Sequence, residues 1–151
     1  MELKNIFIFI LILLIIILGL AFFFQGTNDS GNDKVIVVGA SNFTIPDGYE
    51  IGNDNSDGAK NITNGKNDIF IMEHKGADVT KYINDYDAYF NQTETIENLN
   101  ISGYEVYKLT PPNTSNTHHF YFVKNNKVYD IYHWDGNSNI DSEVVKILTP
   151  S

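Results

Sequence analysis

Hydrophobic and polar positions along the chain follow three different spacings, and each spacing predicts a different kind of element. Residues 6–24 read IFIFILILLIIILGLAFFF, an unbroken apolar run that at about 1.5 Å per residue covers the roughly 30 Å hydrocarbon core of a bilayer. After it, alternating apolar residues predict strands, and apolar residues at every third or fourth position predict helices. The pattern therefore predicts a transmembrane anchor at 1–24, a flexible polar linker at 25–34 and an exterior domain at 35–151.

A cleaved signal peptide is the alternative interpretation of the apolar run. The apolar region of a signal peptide is usually about 7 to 15 residues long and ends at a small-x-small site. Here the run is longer and ends in FFFQ, and the chain has no cysteine that a lipoprotein anchor would need. Lys4 precedes the run, while Asp29 and Asp33 follow it. The positive-inside rule then predicts a single-pass protein of the cell membrane, with a cytoplasmic amino terminus and an extracytoplasmic domain.

Two-residue periodicity in the domain predicts a sheet built from hairpins. Val35–Val38 predicts a strand, and a proline-directed turn at residues 46–48 leads to a second extended piece. Later, three dipeptide turns separate alternating apolar runs and predict three hairpins: Asn64-Gly65, Ser102-Gly103 and Asn125-Asn126. The second of these turns sets Glu97 opposite Lys108, which is a favourable cross-strand pair.

Helical spacing appears in two segments. Between residues 78 and 91 the apolar residues form one stripe that we expect to face the core, with Asp78 as N-cap. The terminal helix has Ser138 and Asp141 at capping-box spacing, and Pro150 stops it. The order of strands, helix, four strands and helix predicts the α+β class, with an antiparallel sheet flanked by two helices.

Charge and composition restrict the partners of the domain. The net charge is -9, and all ten basic residues are lysines; phosphate affinity depends on clustered Lys and Arg, so we expect no nucleic-acid partner. Without cysteine, stability must come from a core free of disulfides. Six asparagines stand in N-x-S/T sequons, which predicts glycosylation outside the cell, although AT-rich coding also enriches asparagine. The sequon asparagines are Asn28, Asn42, Asn61, Asn91, Asn100 and Asn113.

The last hairpin carries the candidate metal ligands. With Asn125-Asn126 as the turn, His118 lies opposite His133 on one face, and His119 belongs to the other face. Opposed Cβ atoms lie about 4.5 to 5.5 Å apart, so two imidazoles could share a metal if a third ligand were near. The candidates for that ligand are Asp135, Asn137 and Asp141. Imidazoles that only pack at the sheet edge are the alternative.

Other chemistry has weaker support in the sequence. The loop NDNSDG at 53–58 partly matches a calcium loop, but Asn53 replaces the leading aspartate and Asn64 stands at the position of the bidentate glutamate. Residues 135–143 also alternate oxygen ligands, but a helix-capping role explains several of them more simply. No G-x-S-x-G, H-E-x-x-H or P-loop motif occurs. We therefore expect no enzyme activity and no cofactor.

Four stretches together resemble a known group of proteins: FTIPDGYEI, ISGYEVYKL, YFVKNNKVYDIY and SEVVKIL. Over residues 40–149 the chain resembles small membrane-anchored exterior proteins of methanogenic archaea. Its element order is similar to the PsbP-like α/β sandwich, and that resemblance implies an accessory or scaffolding role. No binding residue of that family maps onto these stretches.

The anchor, the compact domain and the absence of catalytic motifs predict a noncatalytic, membrane-tethered extracytoplasmic module. We expect it to bind or steady a protein partner at the cell surface and to contact the membrane through residues 6–24. A cation- or solute-binding sensor domain is the alternative function.

Overall fold

The computed structural model describes residues 34–91, 94–112, 117–134 and 138–149. The predicted transmembrane run at 6–24 and nearly all of the linker lie outside the described residues. Neither helix of the described ranges is long and apolar enough to cross a membrane.

Strands and helices follow the predicted order through the described part of the chain. The α+β class, the antiparallel sheet and the two helices are confirmed. The elements are β1 Val35–Val38, β2 Ser41–Thr44, β3 Glu50–Ile51, β4 Lys60–Thr63, β5 Asp68–His74, α1 Val79–Phe90, β6 Thr95–Ile101, β7 Tyr104–Thr110, β8 His118–Lys124, β9 Lys127–His133 and α2 Ser138–Leu148.

Seven of the strands form one sheet in the order β3-β4-β5-β9-β8-β7-β6. The three predicted hairpins β4–β5, β6–β7 and β8–β9 are confirmed, and Glu97 lies opposite Lys108 as expected. The β4–β5 loop spans four residues, 64–67, rather than the Asn64-Gly65 dipeptide alone. The last hairpin is inserted beside β5, so that Ile69 pairs with His133. This long-range pairing makes β9 a central strand and buries its whole length apart from its first residue.

The first strand differs from the prediction, because β1 and β2 form a separate two-stranded hairpin before the proline turn. The turn depends on Gly39, whose φ of 55° lies in the left-handed region that favours glycine. The carboxylate of Glu73 on β5 then accepts a 2.8 Å hydrogen bond from the backbone N–H of Ala40. A partner so distant along the chain leaves no local signal, which explains why the turn was missed.

The two faces of the sheet are covered by different helices. On the face that we call the α2 face, the stripe Ile140, Val144, Ile147 and Leu148 joins the largest apolar core together with residues of the β1–β2 hairpin. On the opposite face, the α1 face, the stripe of α1 packs against Leu109, Tyr121 and Val128. Full burial of an aliphatic side chain contributes about 1.5 to 3 kcal/mol, so the α2 face provides most of the stabilisation.

Helix α1 is held less tightly than α2. Its N-cap is the predicted Asp78, which accepts a 3.0 Å hydrogen bond from Thr80 N–H. Its apolar stripe faces the sheet as expected, but none of its residues is fully buried. The helix therefore covers the α1 face while leaving polar side chains beneath it.

Candidate metal centre

The β8–β9 hairpin brings two imidazoles together at the end away from its turn. Asn125 and Asn126 have φ angles of 50° and 60°, as a type I′ turn requires. The turn sets the register, and His118 lies directly opposite His133 with ring centroids 5.1 Å apart. The predicted pairing is confirmed.

Helix α2 adds a carboxylate to this pair. Burial of Ile140 and Val144 fixes the orientation of the helix on the sheet and leaves Asp141 at the edge of the apolar stripe. Asp141 Oδ1 lies 2.9 Å from His118 Nδ1 and 2.9 Å from His133 Nε2. The sequence assigned this carboxylate to a capping box, but in the structure it forms hydrogen bonds with two histidines of the sheet.

Lys108 on β7 completes the cluster. Its Nζ lies 2.9 Å from Asp141 Oδ2 and 3.9 Å from Glu97 Oε1. The sequence identified only the Glu97 contact, because the β7–β8 pairing that sets Lys108 opposite Phe120 crosses a long loop without a turn signal. Lys108 is the residue of this site that sequence reasoning missed.

Burial and hydrogen bonding set the charge of the cluster. His133 is fully buried, and the His118 and Asp141 side chains are 13% and 21% exposed. Burial alone would raise the pKa of Asp141, but hydrogen bonds from His133, His118 and Lys108 outweigh it and hold the pKa well below its ordinary value. The carboxylate is therefore ionised at any physiological pH, and one edge of the cluster remains open to solvent.

The three side chains bring two ring nitrogens and a carboxylate oxygen close enough together to share a cation. The ligand atoms of His118, His133 and Asp141 lie within 4.8 Å of one another, and no other His, Cys, Asp or Glu group of the described ranges does so. Zinc takes His nitrogen at about 2.0 to 2.1 Å and carboxylate oxygen at about 2.0 to 2.2 Å. Of the three candidates for a third ligand, Asp141 lies beside both imidazoles; Asp135 and Asn137 lie outside the described residues.

His119 lies on the α1 face, as the register predicted, and has a different partner. Its Nδ1 is 2.8 Å from Oδ2 of Asp130, which is 3% exposed. Burial, the Asp130 charge and an Asp130 hydrogen bond raise the pKa of Tyr121. Asp130 lies diagonal to His119 across the hairpin. Diagonal neighbours on one face of a strand pair are within reach of each other, so the predicted register could have identified this pair.

The partial calcium loop has another role in the structure. Asn55 Oδ1 accepts hydrogen bonds from the backbone N–H groups of Asp57 and Ala59, at 3.0 and 2.9 Å. Its Nδ2 donates to the hydroxyl of Tyr132. Asn55 is thus the centre of a turn, and Asp54 pairs with Lys60, so two of the oxygen-bearing side chains of this loop are engaged within the domain.

The sequon asparagines differ in accessibility. Asn61 is 7% exposed, and its Nδ2, the atom to which a glycan would be attached, donates to Asp68 Oδ1 at 3.2 Å. The folded domain leaves no room for a glycan there. Asn28 and Asn113 lie outside the described residues. The exposed candidates are Asn42, Asn91 and Asn100.

No family model, curated protein or solved structure matches this chain. Its resemblance to PsbP-like domains stays a prediction, and function is inferred from the described side chains.

Proposed function

We propose that this chain is a noncatalytic, membrane-tethered extracytoplasmic module that binds a divalent transition-metal cation. The observation that carries the proposal is the convergence of His118, His133 and Asp141, whose ligand atoms lie within 4.8 Å of one another. The anchor and the exterior location are taken from the sequence pattern.

The donor set favours a metal of the zinc class. Imidazole nitrogen suits Zn, Cu, Fe and Ni, whereas Ca²⁺ and Mg²⁺ prefer sites built entirely from oxygen. Lys108 donates to Asp141 Oδ2, so Oδ1 remains directed at the two imidazoles. Such an outer contact orients a ligating carboxylate.

Proton exchange sets the expected affinity. An ionised carboxylate can only accept, so both ring nitrogens that face Asp141 carry protons in the metal-free state. A metal on these two nitrogens requires each neutral imidazole to carry its single proton on the other ring nitrogen; for His133 this is Nδ1, which has no hydrogen-bond partner among the described residues. Because a ligating imidazole must be neutral, protons compete with the metal. Loss of such an outer partner typically costs 10- to 100-fold in affinity. We therefore expect weak, reversible binding that falls as the pH decreases, as suits sensing or exchange.

The test is a thermal titration of the full chain in detergent with zinc chloride. At 100 times Kd a ligand stabilises by about 2.7 kcal/mol, which corresponds to a Tm increase on the order of 10 °C for a domain of this size. His118→Gln should abolish the increase. His119→Gln, on the opposite face of the same hairpin, should retain it, and calcium chloride should give none.

An unchanged Tm with zinc, nickel and copper would refute the proposal. An equal zinc response of the His118→Gln and His119→Gln proteins would also refute it, because the metal would then bind elsewhere. The predicted protein partner at the cell surface is a separate proposal, and recovery of the chain alone after crosslinking in membranes would count against it.

A further inference from the structure

Within the part of the chain that the structure describes, strand β6 is an open edge of the seven-stranded sheet. It pairs with β7 through all seven of its residues without a bulge, and five of them are exposed. The other edge, β3, is only two residues long. Natural sheets protect edges by shortness, proline, charged side chains, bulges or a covering helix or loop. β6 is long and free of proline and bulges, and Glu97 is its single charge.

The free backbone groups of β6 follow from its hairpin. The turn after Ile101 has the two positive φ angles of a type I′ turn, so the closing pair Ile101 and Tyr104 exchanges both backbone hydrogen bonds. The backbone N–H and C=O groups of the alternate residues along the strand point to the side away from β7. These alternate residues are Ile96, Asn98 and Asn100.

We propose that β6 pairs with β6 of a second copy of this chain, antiparallel and with the two-fold axis at Asn98. In this register each of the seven residues of one β6 lies opposite a residue of the other β6. The backbone of Asn98 hydrogen-bonds to the backbone of Asn98 in the second copy, and the backbone of Ile96 hydrogen-bonds to that of Asn100. Glu97 meets Leu99, so no like charges stand opposite.

Among the registers that keep each side chain on its own face, an axis at Glu97 would oppose two carboxylates. An axis at Leu99 would pair fewer residues of the strand. The net charge of -9 opposes association, and we expect salt to strengthen the dimer because it screens that repulsion.

The absence of cysteine permits a direct test in the full chain. Asn98→Cys, oxidised mildly in native membranes, should form a disulfide dimer, since hydrogen-bonded partners have Cα atoms about 5.5 Å apart, within disulfide range. Ile96→Cys is the matched control on the same face of the strand. Position 96 of the second copy would lie about 13 Å away along the strand, so the Ile96→Cys protein should remain monomeric.

A mixture of Ile96→Cys and Asn100→Cys chains should again crosslink, because these two positions face each other in the proposed register. Equal crosslinking at positions 96 and 98, or none at either, would overturn the proposal. The reduced Asn98→Cys protein should melt as the unmodified chain does, which excludes misfolding as the cause of a negative result. A glycan on Asn100 of the native protein would occupy the same edge and would also overturn the pairing.

Discussion

Replacement of Asp141 by asparagine is the sharpest probe of the cluster. Asp141 accepts from His118, His133 and Lys108, and a hydrogen bond to a charged group contributes about 1.5 to 3 kcal/mol. The contributions do not add, because the carboxamide can still accept one of the bonds and the side chain is 21% exposed. We expect a loss of about 2 to 4 kcal/mol at pH 7, which would lower Tm by roughly 10 °C.

The pH dependence of that loss is a second readout of the same substitution. The pKa of Asp141 is lowered on folding from 3.8, so its contribution is fully present above the unfolded-state pKa and is lost as the pH falls towards the folded-state pKa. The stability difference between the two proteins should shrink as the pH falls below about 4.

Urea unfolding at a series of pH values, followed by circular dichroism, measures both quantities. Glu143→Gln is the matched control, because Glu143 lies on the same helix and forms its salt bridge with the exposed Lys146; its effect should stay within about 0.5 kcal/mol. An Asp141→Asn protein as stable as the unmodified chain at pH 7 would refute the description of Asp141 as the hub of this cluster. A stability difference that does not change with pH would refute the assigned charge state.

Three further predictions concern the turns and the sequons. Gly39→Ala should destabilise the domain by about 2 kcal/mol in urea unfolding, since its φ is positive and a Cβ would collide with the carboxylate of Glu73; an unchanged midpoint would contradict the β1–β2 turn. Asn126→Gly should stabilise by about 0.5 kcal/mol, because type I′ turns favour Asn-Gly, and a lower Tm would argue against that turn type. If native protein carries N-glycans, peptide mass spectrometry should find them at exposed Asn42 and not at buried Asn61.

Local structure was largely determined by the sequence. The Ser102-Gly103 and Asn125-Asn126 turns fixed their hairpins because a two-residue turn leaves one register for the strands that it joins, and the alternation of apolar residues chose the buried face. The same rule placed His118 opposite His133 and sent His119 to the other face. The β4–β5 hairpin formed as predicted, but its register was not set by a two-residue turn, because its loop spans residues 64–67. Helical spacing located both helices, because only one stripe of each is apolar.

Tertiary structure decided which elements meet. The insertion of β9 beside β5, the contact of Asp141 with both imidazoles, the approach of Lys108 and the Glu73 cap on the β1–β2 turn all join residues of different elements. Periodicity tells which face of an element is buried, but not what it is buried against, since many neighbours would cover the same apolar stripe equally well. The histidine pair was therefore encoded in one hairpin, whereas the cluster that makes it a metal-binding candidate exists only once helix α2 packs on the sheet.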